Sequence, residues 1–171
     1  MDAFILWLMS DPDSDATPKG GEASVGWRLA RTADTARLGA RVGRALRAGE
    51  AVCLFGPLGA GKSTLARGLI RALTSPDEEA PSPTFTLVQT YVGREFEIAH
   101  FDLYRLKRAS EAFELGLDEA LLAGAAVIEW PERLDGALPL DRLEIEIAID
   151  GQARRARLTP FGSWKGRRLG P

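Results

Sequence analysis

The chain has 171 residues, 45% apolar and 27% charged, an ordinary balance for one globular domain with a sizeable core. A second full domain does not fit this length. Its 22 basic and 24 acidic residues leave a net charge of −2, so no global charge draws the chain to nucleic acid or to a membrane surface.

Residues 1–22 read as a poorly ordered N-terminal extension. Phe4-Ile5-Leu6-Trp7-Leu8 is apolar, but Asp2 stands where a signal peptide carries basic residues. Acidic Asp11-Pro12-Asp13-Ser14-Asp15 follows instead of a small-residue cleavage site. A secretory leader is therefore not expected. No apolar run is long enough for a membrane span.

Residues 23–160 read as the folded domain. Residues 25–30 fit a short edge strand. Thr32 or Asp34 is placed to cap a helix over 34–47, with Ala36, Leu38, Val42, Ala45 and Leu46 on one side and Gly49 ending it. The apolar run Ala51-Val52-Cys53-Leu54-Phe55 reads as a buried strand. Cys53 is the only cysteine, which excludes an intrachain disulfide. Inside a strand it reads as a structural thiol rather than a reactive one. Nothing points to an oxidising compartment, and a cytoplasmic location is expected.

Gly56-Pro57-Leu58-Gly59-Ala60-Gly61-Lys62-Ser63 follows that strand and has the form G-x-x-x-x-G-K-[ST]. Apolar Leu65, Leu69, Ile70 and Leu73 then recur at helical spacing over 62–73. Strand, glycine-rich turn and helix are the context in which this motif binds phosphate. The glycines let successive N–H groups turn inward, and those groups join the positive end of the helix in a cradle for phosphate oxygens. Lys62 would reach the β- and γ-phosphates, and the Ser63 hydroxyl would hold Mg²⁺.

A phosphate loop alone hydrolyses nothing. The reaction also needs a carboxylate to complete the metal shell and a group that positions water. Residues 75–83 form a Pro- and acid-rich loop. Residues 84–92 and 95–104 read as a hairpin about Gly93-Arg94. Asp102 closes the second strand, after Ile98-Ala99-His100-Phe101. Helical stretches fit 110–115 and 118–123. Ala125-Ala126-Val127-Ile128 is a short buried strand that ends in Glu129. Ligands collect at the carboxyl ends of strands in open α/β sheets, so Asp102 and Glu129 are the favoured acids.

Ser82-Pro83-Thr84 lies in a loop long enough to reach the phosphates. Its hydroxyls fit either γ-phosphate sensing or simple turn chemistry. His100 is the only histidine, which leaves no His-based metal site, and alone beside an aromatic it reads as structural. Trp130 is either core packing or an exposed contact. Residues 143–149 and 154–159 pair through Asp150-Gly151 as a second hairpin. Arg154, Arg155, Arg157, Arg167 and Arg168 cluster late, which fits a local basic patch or, the preferred reading, a solvated hairpin face and a loose tail over 161–171.

Four segments together resemble one family: Gly56 to Thr64, Ser82-Pro83-Thr84-Phe85-Thr86-Leu87-Val88, His100-Phe101-Asp102-Leu103-Tyr104-Arg105-Leu106, and Ile128-Glu129-Trp130-Pro131-Glu132. Their order and spacing are those of the bacterial TsaE (YjeE) proteins, over about residues 25–160. The resemblance implies a three-layer α/β domain of P-loop NTPase type, with a mainly parallel sheet plus antiparallel hairpins. It implies a slow, partner-dependent ATPase that uses ATP and Mg²⁺. Its partner would be the TsaB–TsaD pair, which makes threonylcarbamoyladenosine (t6A) in tRNA beside the anticodon. TsaD transfers the threonylcarbamoyl group in that scheme, so tRNA would be met only through the complex.

Carried over by position, Gly56, Leu58, Gly59, Ala60, Gly61, Lys62, Ser63 and Thr64 would hold nucleotide, with Thr64 supporting the loop. Ser63 and Glu129 would face the metal. Asp102 would be the acid needed for hydrolysis. Ser82, Pro83 and Thr84 would form a switch loop, with Trp130 marking a second mobile segment. Adenine would lie near Thr32, and the late hairpin would contribute near Arg154. Two other readings share the phosphate loop: a small-molecule kinase, and an adaptor that binds ATP without useful turnover.

Overall fold

The computed structural model describes residues 25–169. The expected extension over 1–22 and the expected absence of a leader concern residues outside that range.

Among the described residues, seven strands and four α-helices follow in order. They are β1 (Val25–Leu29), α1 (Thr32–Ala45), β2 (Ala51–Phe55), α2 (Lys62–Leu73), β3 (Val88–Val92) and β4 (Glu97–Asp102). Then come α3 (Ser110–Glu114), α4 (Leu117–Ala123), β5 (Gly124–Glu129), β6 (Arg142–Asp150) and β7 (Ala153–Pro160). Short 3₁₀ turns span Pro131–Leu134 and Gly162–Trp164.

One sheet holds every strand, in the order β1-β7-β6-β2-β5-β4-β3. Its centre is parallel: β2 lies between β5 and β6, and β4 pairs with β5. The pairs β3–β4, β6–β7 and β1–β7 are antiparallel. This is the mixed α/β sheet with flanking hairpins expected from the sequence. β1 is the edge strand that residues 25–30 suggested.

Side-chain alternation along the strands divides the core in two. Val52, Leu54, Val127 and Ile145 pack with Leu38, Val42, Leu65 and Leu69 of α1 and α2. Ala51, Cys53, Ala126 and Ile128 pack on the other face with Ala112 and Leu117 of α3 and α4. Helices therefore cover both faces, giving three layers. Each fully buried Leu or Ile contributes about 1.5–3 kcal/mol. Burial also pushes the Cys53 thiol up to about 12, which agrees with a structural role.

α1 and α2 cross closely because glycines line the crossing. A Cβ on Gly68 would stand 2.2 Å from the Ala36 carbonyl oxygen, and one on Gly39 would stand 2.1 Å from that of Leu65.

Several boundaries differ from the expected ones. α1 starts at Thr32 rather than 34, and its cap is neither Thr32 nor Asp34. Arg31 precedes the helix, and its N–H donates to the Asp34 carboxylate at 2.9 Å. β3 begins at Val88 because residues 84–87 form a turn, closed by Leu87 N–H on the Pro83 carbonyl at 2.7 Å. Leu87 takes a positive φ of 66° there.

The loose tail expected over 161–171 is corrected as far as 169. Trp164 is buried in the main core. Arg167 donates to both oxygens of Glu50, at 2.7 and 2.6 Å. The arginines of the hairpin are paired rather than merely solvated: Arg155 meets Asp150 at 2.8 Å, and Arg157 bonds Glu146. Among the described residues no helix is long and apolar enough to cross a membrane.

Candidate functional site

β2 ends at Phe55, and the chain turns sharply over 56–61 before α2 begins at Lys62. Gly61 precedes the helix at φ 106°, a conformation that side chains with a Cβ resist. The first bond into the helix runs from Leu65 N–H to the Gly61 carbonyl at 3.0 Å. The amides of Lys62, Ser63 and Thr64 therefore have no intrahelical acceptor and lie at the positive end of the dipole. That is an anion-binding terminus.

Lys62 is buried, and its ammonium folds back on the turn. It donates to the carbonyls of Gly56 at 2.6 Å and Pro57 at 3.0 Å. Its other side meets the Trp130 ring, 3.9 Å from the centroid. Burial lowers the lysine's pKa, against the opposing fields of Glu129, Glu132 and Asp102. A polyanion entering here would favour the charged ammonium that burial disfavours.

The two acids come together as expected. Asp102 and Glu129 are register partners at the ends of the parallel strands β4 and β5. Glu129 is 2% exposed and Asp102 5%. Ser63 Oγ donates to Glu129 Oε2 at 3.0 Å, which ties the start of α2 to the end of β5. Asp102 Oδ2 accepts from Ser82 Oγ at 3.0 Å and Thr84 Oγ1 at 3.1 Å. Its Oδ1 accepts from Tyr104 N–H at 3.1 Å. The 82–84 segment is thus fastened to one acid while the phosphate loop is fastened to the other. Pro83 joins it by accepting from Leu87. The loop's approach is held by α2, whose Arg67 and Arg71 donate to the carbonyls of Ala80 and Glu78 at 3.2 and 2.7 Å.

A cavity of about 390 Å³ is lined by Leu58, Gly59, Gly61, Lys62, Ser63, Thr64, Ser82, Thr84, Asp102, Tyr104, Glu129 and Trp130. A second, of about 180 Å³, lies across the same turn against Thr32, Thr35, Ala60, Gln152 and Arg154. The two share Gly59, Gly61 and Thr64. Arg154 also donates to the Gly59 carbonyl at 3.2 Å. The site residues named from the sequence therefore fall around one turn, with Thr32 and Arg154 on one side and the acids on the other.

Ser63 and Glu129 present two adjacent hard oxygens, the donor type Mg²⁺ prefers. Among the described residues no group of three His, Cys, Asp or Glu side chains is arranged to hold a metal. A cation here would therefore need phosphate oxygens to fill its shell, which is how Mg²⁺ is commonly held beside nucleotides.

One contact escapes a reading of the sequence, and the place of Trp130 was left open by it. His100 is fully buried and lies 2.9 Å from Glu129 Oε1 through Nε2. The signal was its position two residues before Asp102, which puts both on one face of β4. Trp130 is half-buried at a positive φ of 59° and meets the Tyr104 ring at a tilt of 49°, with centroids 4.8 Å apart. It is both a packing residue and a wall of the site.

The family model for "Threonylcarbamoyl adenosine biosynthesis protein TsaE" matches residues 29–157. The chain belongs to the TsaE family. That span takes in the phosphate loop, both acids and the 82–84 segment. The TsaE protein of Treponema pallidum is 41% identical over 123 residues, 71% of this chain and 90% of that protein. The TsaE of Rickettsia conorii is 38% identical over 122 residues, 71% of this chain and 70% of that one. Both are named tRNA threonylcarbamoyladenosine biosynthesis proteins. The crystal structure of YdiB from Bacillus subtilis superposes with a TM-score of 0.67 at 28% identity, over 84% of this chain and 90% of that one.

Proposed function

We propose that this TsaE-family protein is a Mg²⁺-dependent ATPase that acts with the TsaB–TsaD pair in t6A modification of tRNA. The observation that carries this reading is the Ser63–Glu129 bond, made from the first turn of a helix whose leading amides have no intrahelical acceptor. The metal, when bound, would neutralise charge on the phosphates. Everything else falls to the chain. The loop amides and Lys62 bind the polyanion, Lys62 leaving the Gly56 and Pro57 carbonyls to do so. Ser63 and Glu129, whose oxygens now bond each other, are the residues that would hold the cation. Asp102, held next to Glu129, orients or deprotonates water.

The 82–84 segment supplies the coupling. Its hydroxyls are held by Asp102 in this state, and the same hydroxyls can turn to a γ-phosphate. Binding and release of ATP would then alter the surface offered to TsaB–TsaD. Steady-state ATP turnover with and without TsaB–TsaD tests the reading. Stimulation by the pair is expected, and its absence would remove the partner-dependent part. A small-molecule kinase would need a lid over the acceptor. After β5 the chain offers a 3₁₀ turn and the β6–β7 hairpin, which lends that alternative no support.

A further inference from the structure

His100 has no role in the scheme above, yet its placement is specific. Its ring is fully buried, and Nε2 lies 2.9 Å from Glu129 Oε1. The other oxygen of the same carboxylate takes the Ser63 hydroxyl at 3.0 Å. Glu129 is therefore gripped at both oxygens, one from the strand beside it and one from α2. A carboxylate that faces a cation only accepts, which assigns the hydrogen to Nε2.

Packing alone does not account for an imidazole here. The other ring nitrogen, Nδ1, is buried without a partner among the described residues. An apolar ring at this position would fill the same space without leaving a buried polar atom unsatisfied, which costs about 1–3 kcal/mol. The histidine stands here despite that cost, and among the described residues its side chain's one polar contact is to Glu129.

We infer that His100 is a positioning residue for Glu129: its Nε2–H fixes Oε1 so that Oε2 stays turned toward Ser63 and the metal. This rests on the proposed metal site. It assigns to His100 the part that outer carboxylate- and imidazole-binding groups play around metal ligands, where their loss costs about 10–100-fold in metal affinity. The His100 bond does not involve Ser63, so it would remain a side-chain contact on the carboxylate if the Ser63 hydroxyl were given to the cation.

The test is Mn²⁺ uptake by the full chain, followed by electron paramagnetic resonance, with a non-hydrolysable ATP analogue present. His100→Phe is expected to weaken Mn²⁺ binding about 10–100-fold. His100→Gln, whose amide can still donate to Oε1, is expected to stay within a few-fold of wild type. Binding of the analogue without metal should be the same in all three, a result that a general packing defect would not give. Folded His100→Phe with wild-type Mn²⁺ affinity would overturn the inference, as would a Gln variant no better than Phe. Should circular dichroism show His100→Phe unfolded, His100→Asn takes its place, since it keeps the amide but falls short of Glu129. Glu129→Gln separates the two levels. If wild type and Glu129→Gln take up Mn²⁺ alike, the metal site itself is wrong and His100 has nothing to position. If Glu129→Gln loses the ion and the His100 variants do not, only this inference falls.

Discussion

The Lys62 ammonium lies 3.9 Å from the centre of the Trp130 ring while donating to two carbonyls of its own loop. A cation over an indole face contributes about 0.5–2 kcal/mol, more when water is excluded. Lys62 is thus stored in a satisfied, inward position. Phosphate must out-compete the ring and the carbonyls to claim it.

The first prediction follows from that storage. Drawing Lys62 away removes a positive charge from the Trp130 face, so ATP should change the indole emission. The chain has 4 tryptophans, and Trp130→Phe identifies which one reports. The ATP-induced change is expected in wild type and lost in the variant. An unaltered change in Trp130→Phe would contradict the prediction, because the signal would then come from another tryptophan.

Asp102 should matter to turnover more than to binding. It lines the cavity and holds Ser82 and Thr84. Asp102→Ala is expected to lower ATP turnover about 100-fold or more, the ordinary worth of a positioned acid–base group, while ATP affinity changes little. Circular dichroism must show the variant folded. Unchanged turnover in folded Asp102→Ala would favour the adaptor reading.

The alternation of apolar residues displayed β2, α2, β5 and the β6–β7 hairpin closely, because each buries a regular face. The phosphate loop and its two acids were legible for a related reason: strand ends and a glycine turn fix their places. What stayed hidden depended on contacts between distant segments. Nothing local marks Arg167 as the partner of Glu50, 117 residues away. Thr84, Phe85 and Thr86 have strand-forming side chains, but the bonds to Asp102 hold this stretch as a turn. Nothing local explains the glycines inside α1 and α2 either; their reason is the carbonyls of the facing helix.

Those glycines support a stability prediction with opposed terms. Alanine favours a helix over glycine by about 0.5–1 kcal/mol. A Cβ on Gly68, however, would meet the Ala36 carbonyl oxygen at 2.2 Å, and overpacking costs about 1–3 kcal/mol. Because the obstacle is backbone, the steric cost should win. Gly68→Ala is expected to destabilise the protein by about 2 kcal/mol in urea titration. A variant as stable as wild type would mean that the helices can slide apart.

The Glu50–Arg167 pair gives a pH signature. Burial alone would raise the Glu50 pKa, but bonds from Arg167, Ser163 and the Arg47 amide together hold it below the ordinary 4.5. Its ionised form therefore favours the folded state. The stability it contributes is complete above about pH 4.5 and is lost as pH falls through the lower folded value. The gap in melting temperature between wild type and Glu50→Gln should be full at neutral pH and shrink in acid. Arg167→Ala, which leaves the carboxylate buried and unpaired, should cost about 3 kcal/mol at pH 7. A pH-independent gap would show that the C-terminal turn is not fastened by charge.

Titration calorimetry of the full chain with ATP, in the presence and absence of Mg²⁺, bears most directly on the site. Saturable uptake that Mg²⁺ strengthens is expected in wild type, with that gain lost in Ser63→Ala and all binding weakened at least about 100-fold in Lys62→Ala. Well-folded wild-type protein that takes up no Mg²⁺–ATP, or binds it equally well without Lys62 and Ser63, would contradict the assignment of this turn as a triphosphate site.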